Sequence, residues 1–159
     1  MSSTLYPNFL KITKHLNTSL GIVPVLYGSL GLSRILNQDL ESQDIDVLVP
    51  KKYITSEWQK LIDILSEIGY KMVNEHEHEF ICDDVKIGIA HEEDLEPFAQ
   101  VDYKNLETVA DDGARYKVLS LEDYKKVYSR SKLDSYRANK KNKQDSEKLE
   151  LIEKYQNQK

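Results

Sequence analysis

The chain has 159 residues, 40% of them hydrophobic and 31% charged, with a formal net charge of −5. That is the size and make-up of one globular domain, and the apolar runs are far too short to cross a bilayer. A lone cysteine, Cys82, excludes an internal disulfide, and the acidic balance speaks against wholesale coating of nucleic acid, which calls for a basic excess.

Met1 to Tyr6 lacks the basic stretch and apolar core of an export signal, so the cytoplasm is the expected location and no membrane partner is expected. Leu5, Phe9, Ile12, Leu16 and Leu20 recur at helical spacing and predict an amphipathic helix over residues 4–20, stopped by Gly21. Pro24-Val25-Leu26-Tyr27 reads as a short buried strand running into a tight turn at Gly28-Ser29, after which residues 30–36 begin a second helix. Asp44-Ile45-Asp46-Val47-Leu48-Val49 is the next strand, beside the first and ended by Pro50. Ser56 and Gln59 have capping-box spacing, and Trp58, Leu61, Ile62, Leu65 and Ile68 carry a helix as far as Gly69. Residues 70–90 read as strands, with Asp83-Asp84 the turn of a hairpin and Cys82 a core residue of it. His76 and His78 fall on the Phe80 side of that hairpin, where partly buried histidines are the expectation rather than metal ligands. Leu121, Tyr124, Val127 and Tyr128 mark a helix from Ser120, and Leu149, Ile152 and Tyr155 mark a last one beyond the polar, basic stretch 137–143.

With no internal repeat, the expectation is a single domain over residues 1–159, its core at about 20–100 and a helical region at about 120–157. The fold class is α+β: a short mixed sheet from residues 24–90 with helices on one face, an open sheet face carrying the site, and a helical C-terminal region.

Gly28-Ser29 offers what a triphosphate needs at the start of a helix, namely backbone donors and a small side chain. Strand alternation points Asp44 and Asp46 to one side and Ile45, Val47 and Val49 to the other. Two like charges held so close are costly without a cation, whereas Mg²⁺ accepts carboxylate oxygens and leaves places for phosphate. The alternative is a pair of solvated aspartates at the start of an exposed strand; the Gly-Ser turn upstream favours the metal.

Leu26-Tyr27-Gly28-Ser29 followed by Asp44-Ile45-Asp46-Val47 resembles the signature of the DNA polymerase β-like nucleotidyltransferase superfamily, especially its minimal and antibiotic-modifying members, over roughly residues 20–90. The resemblance implies the nucleotidyltransferase fold, triphosphate binding by Gly28 and Ser29, and Mg²⁺ or Mn²⁺ on Asp44 and Asp46. It further implies transfer of a nucleoside monophosphate from a nucleoside triphosphate to a hydroxyl of an acceptor that the sequence does not identify. The tail with Lys143, Asp145 and Lys148 is also similar to that of small members.

Two departures stand out. The gap from Ser29 to Asp44 is slightly long, and the strand that carries a third acid in that family reads Val85-Lys86-Ile87-Gly88-Ile89, with Gly88 where the acid is expected. With Asp83-Asp84 as the turn, Phe80 pairs with Ile87 and Glu79 with Gly88, so Glu79 reaches over the bare glycine as candidate base or orienting ligand; Asp102 is the other candidate for the third acid. Loss of the third acid supports a second reading, a catalytically inactive nucleotide- or partner-binding module. A third, RNA binding through Arg130, Lys132, Arg137, Lys140, Lys141 and Lys143, is opposed by the acidic net charge and by Tyr136 being the only aromatic there.

Overall fold

The computed structural model describes residues 4–134 and 139–157, and the side chains of all of these but 134 and 139–143. In chain order the helices and strands are α1 (Leu5–Leu20), β1 (Val25–Tyr27), α2 (Gly28–Leu36), β2 (Asp44–Val49), α3 (Trp58–Glu67), β3 (Lys71–Asn74) and β4 (Glu79–Cys82), then β5 (Val85–His91), α4 (Leu95–Ala99), β6 (Glu107–Asp111), β7 (Ala114–Val118), α5 (Leu121–Asp134) and α6 (Asn139–Asn157). The strands form one sheet in the order β3-β4-β5-β2-β1-β7-β6. It is mixed: β2 runs antiparallel to β1 and parallel to β5, while β7 lies parallel to β1 on its other side.

The α+β class and the helical C-terminal region are as expected, but the sheet is wider than residues 24–90 allow. The added hairpin β6–β7 turns at Asp112-Gly113, where both residues have positive φ, 50° and 83°, the backbone a two-residue hairpin turn requires. α3 also begins differently. Its N-cap is Glu57 rather than Ser56, and no side chain caps it, so the capping box does not form. The Glu57 N–H closes back onto the Lys52 carbonyl at 2.7 Å and its carboxylate goes to Lys60, which leaves Ser56 inside the preceding turn.

Alternation along the strands divides the interior in two. Leu26, Ile45, Val47, Phe80 and Ile87 face α1 and α3. Val25 and Leu48, on the opposite side, pack with Leu119, Tyr124, Val127 and Ile152 from the end of the chain. The first helix is fastened to the last two strands: Phe9 meets Tyr116 edge-on at 4.9 Å, and the Tyr6 hydroxyl donates to Asp111 at 2.6 Å and bonds Tyr116 at 2.7 Å. The Arg34 guanidinium of α2 lies over the Tyr6 ring, 3.8 Å from its centre.

α2 and α5 approach closely at Gly31, where an added Cβ would collide with the Tyr124 hydroxyl and stand 3.0 Å from the Leu26 carbonyl. Gly31→Val is therefore expected to lower stability by about 1–3 kcal/mol, the usual cost of overpacking. An unchanged melting temperature in thermal denaturation would show that the two helices are not in contact there.

Candidate active site

Register builds the site. Tyr27 of β1 pairs with Asp46 of β2, Asp46 with Gly88 of β5, and Gly88 with Glu79 of β4, so these four lie in one row across the sheet and share a face. Asp44 lies two residues back on the same face, opposite Lys86. Below the sheet, Ile45, Ile87 and Phe80 are fully buried, and this anchors the alternation: a slip by one residue would put three apolar side chains in the cleft and the acids in the core.

At the end of β1 the chain turns sharply at Gly28, with φ +68°, and enters α2. The Ser29 hydroxyl is tied to that of Ser42, at 2.7 Å. Ser42 is buried and belongs to the loop that returns to β2, so the long gap between Ser29 and Asp44 is taken up by a loop that comes back to brace the turn.

Both glycines serve Asp46. A Cβ on Gly28 would stand 2.5 Å from its Oδ2, and one on Gly88 3.2 Å from its Oδ1. The carboxylate thus fills a cradle that exists because two neighbouring residues have no side chain. Burial raises the Asp46 pKa from 3.8 to about 6, the charges of Asp44 and Glu79 add to the rise, and Lys86 opposes it. The Lys86 ammonium lies 3.4 Å from Glu79 Oε2 and 3.8 Å from Asp44 Oδ2.

The row floors a cleft of about 520 Å³ whose walls include Tyr27, Phe98, Tyr124, Tyr128, Asp145 and Lys148. The sequence led to the expectation of an open site face; the face is instead walled by α5 and α6. Asp145 is buried, and burial also raises the Tyr128 and Tyr27 phenols well above the ordinary tyrosine range, so these hydroxyls stay protonated.

Gly28, Ser29, Asp46 and Glu79 all line this cleft, and Asp44 joins them through the Lys86 bridge. Asp102 does not; it caps the short turn Tyr103–Asn105 by accepting from the Lys104 N–H and Asn105. His78 packs edge-on to Trp58 at 4.9 Å, whereas His76 is almost wholly exposed, because residues 75–78 form a turn instead of continuing the strand. Cys82 is half-buried against the core. Arg130 and Lys132 lie near the end of α5, while Arg137 and the side chains of Lys140, Lys141 and Lys143 fall outside the described residues. The residues that sequence reasoning passes over are Phe98, Tyr124 and Tyr128 in the cleft wall and Lys86 beside the acids; the two tyrosines carry only a helical apolar spacing, which marks burial and not a cleft.

Among the described residues no group of three or more His, Cys, Asp or Glu side chains is arranged to hold a metal ion. Mg²⁺ needs no such group, since it is commonly held by one or two carboxylates together with substrate phosphates. Asp44 and Asp46, one of them in a glycine cradle beside the Gly28-Ser29 turn, fit that donor set.

No protein-family model matches the chain. It is 47% identical over 150 residues to the uncharacterized protein YnaI of Bacillus subtilis (strain 168), covering 94% of this chain and 96% of that one. Two solved structures share its fold. An antigenic nucleotidyltransferase-like protein from Paracoccidioides brasiliensis superposes with a TM-score of 0.64 at 14% identity, over 96% of this chain and 77% of its own. The antibiotic-resistance factor ANT(2'')-Ia superposes with a TM-score of 0.64 at 12% identity, over 96% and 84%. Among the described residues no helix is long and apolar enough to cross a membrane.

Proposed function

The chain belongs to the family of the Bacillus subtilis protein YnaI and carries a nucleotidyltransferase fold, and from this we propose that it moves a nucleoside monophosphate from a nucleoside triphosphate to a hydroxyl of an acceptor. The observation that carries this reading is the Asp46 carboxylate cradled between Gly28 and Gly88, in one row with Tyr27 and Glu79 and beside a turn at the start of a helix.

Asp44 and Asp46 would hold Mg²⁺ or Mn²⁺, which when bound neutralises charge on the phosphates. The backbone at Gly28 and Ser29 receives the triphosphate. The acceptor oxygen attacks the α-phosphorus, its proton passes to the Glu79 carboxylate, and the α–β bridging bond breaks, its electron pair leaving with pyrophosphate. Positioning and charge account for most of the rate in such transfers.

The test is a thermal-denaturation series with each common nucleoside triphosphate, with and without Mg²⁺. A ligand at a hundred times its Kd stabilises the folded state by about 2.7 kcal/mol, and the absence of any Mg²⁺-dependent shift rejects the reading. Glu79→Gln is then expected to slow pyrophosphate release by about 100-fold or more, the usual contribution of a general base, with triphosphate affinity unchanged. Equal rates in variant and wild type would remove Glu79 from the mechanism.

The second reading, a nucleotide-binding module without catalysis, is favoured by the engagement of Glu79 with Lys86. It predicts the same Mg²⁺-dependent stabilisation with no pyrophosphate release for any hydroxyl acceptor.

A further inference from the structure

Lys148 lines the cleft, and a second positive charge stands at its edge, beside the acids of the floor. Lys86 stands on β5 opposite Asp44 of β2 and one diagonal step from Glu79 of β4, a separation that long side chains span. β5 separates β2 from β4 in the sheet, and the ammonium, within 4 Å of both carboxylates, links them across it. A lysine side chain is cationic at neutral pH, and two carboxylates within 4 Å favour that form. At the position two residues on, Gly88 supplies only the gap that Asp46 fills. The strand thus brings a cation and a space to the place where the family resemblance calls for an acid.

Resting on the functional reading above, we propose that the Lys86 ammonium is a tethered counter-cation joining Asp44 to Glu79, and that it restricts the cleft to a single divalent ion alongside the triphosphate. With the ammonium on Asp44 Oδ2 and Glu79 Oε2, the oxygens a second ion would need are already engaged, and Asp46, the other Asp44 oxygen and the phosphates serve one ion. A second ion would have to displace the ammonium from both carboxylates and would leave the positive charges crowded together. Lys86 acts through Asp44 and Glu79, so it is a positioning residue, and its signature is the number of ions bound rather than the rate alone.

The experiment counts Mn²⁺ by electron paramagnetic resonance in the presence of a non-hydrolysable triphosphate, after subtracting Mn²⁺ held by the nucleotide alone. Wild type is expected to bind one ion per chain, Lys86→Met to take up a second at least about tenfold more tightly than wild type does, and Lys86→Arg to return the count to one. Two ions in wild type, or one in Lys86→Met with its circular dichroism unchanged, would overturn the proposal while leaving the functional reading intact. No Mn²⁺ bound by wild type with triphosphate would overturn both. If Lys86→Met does not fold, the wild-type count and that of Lys86→Gln decide the matter.

Discussion

Asp46→Asn is expected to abolish Mg²⁺-dependent triphosphate binding and, in the same protein, to raise the melting temperature of the ligand-free chain. The two effects have one cause. Desolvation, then Asp44 and Glu79, lift the Asp46 pKa from 3.8 to about 6 against the pull of Lys86, so the folded state binds this proton more tightly than the unfolded chain does. The sign follows. Below pH 3.8 the group is protonated in both states and costs nothing; between 3.8 and about 6 the unfolded chain has released the proton while the folded state still holds it, so stability falls across that window and levels off above it. Above pH 6 the ionised carboxylate costs the fold about 1–3 kcal/mol at most. Asparagine keeps the shape and removes the charge, and with it the oxygen pair that a divalent ion requires. Melting curves from pH 4 to pH 8 should converge at the acid end and separate at the basic end, with the variant higher. Parallel curves, or a variant that still shows the Mg²⁺-dependent nucleotide shift, would count against the site.

Gly28→Ala is expected to destabilise the fold and remove triphosphate binding together, whereas Gly21→Ala should only destabilise. The backbone angles are almost equal, φ +68° and +67°, so the left-handed strain of about 1–2 kcal/mol is common to both. Their surroundings differ. An alanine Cβ at 21 meets nothing within 4 Å, while at 28 it stands 2.5 Å from Asp46 Oδ2 and 3.2 Å from its Cβ and Cγ. The carboxylate must leave its cradle or the turn must open. Subtracting the Gly21→Ala loss from the Gly28→Ala loss isolates the contact, and calorimetry with Mg²⁺ and triphosphate reads the functional part. Equal losses and retained binding would mean that Asp46 tolerates a displaced carboxylate.

What the sequence discloses and what it hides have distinct physical origins. The apolar partners Ile45, Ile87 and Phe80 fix strand register locally, so the Glu79–Gly88 pairing and the common face of Asp44 and Asp46 are legible from alternation alone. The β6–β7 hairpin is harder to see because its strands expose polar side chains: Arg115 faces out between Ala114 and Tyr116, and Glu107 and Thr108 sit on an edge. Its signal is the Asp112-Gly113 pair, whose weight as a turn exceeds that of the weak strand pattern around it. The cleft walls are hidden for another reason. Tyr124 and Tyr128 are one helical turn apart on a face that packs on the sheet, and nothing local distinguishes a ring that ends in the core from one that ends at the rim of a cavity. Lys86 is hidden by its type, since a lysine on a strand near a turn usually points to solvent and only the neighbouring strand shows that it meets Asp44.

The position of β7 has a consequence for how the chain comes into being. β1 is a strand of three residues, held on one side by β2 and on the other by β7, whose Lys117 and Val118 pair with Val25 and Leu26. During synthesis β1, β2, β4 and β5 are all made before Val118, so the nascent sheet exists for a time with β1 as an open edge and its backbone donors and acceptors unpaired. Tyr116 is also absent then, and α1 lacks the partner that Phe9 and Tyr6 close upon. At translation rates of about 5–20 residues per second, that interval from β2 to β7 lasts several seconds, long compared with local helix or hairpin formation. The Gly28 turn, anchored at one end in β1, thus acquires its final rigidity only when nearly three quarters of the polypeptide has emerged. A ribosome-bound chain ending before residue 114 should accordingly be cut by protease near residues 24–29, and the 159-residue chain released from the ribosome should resist.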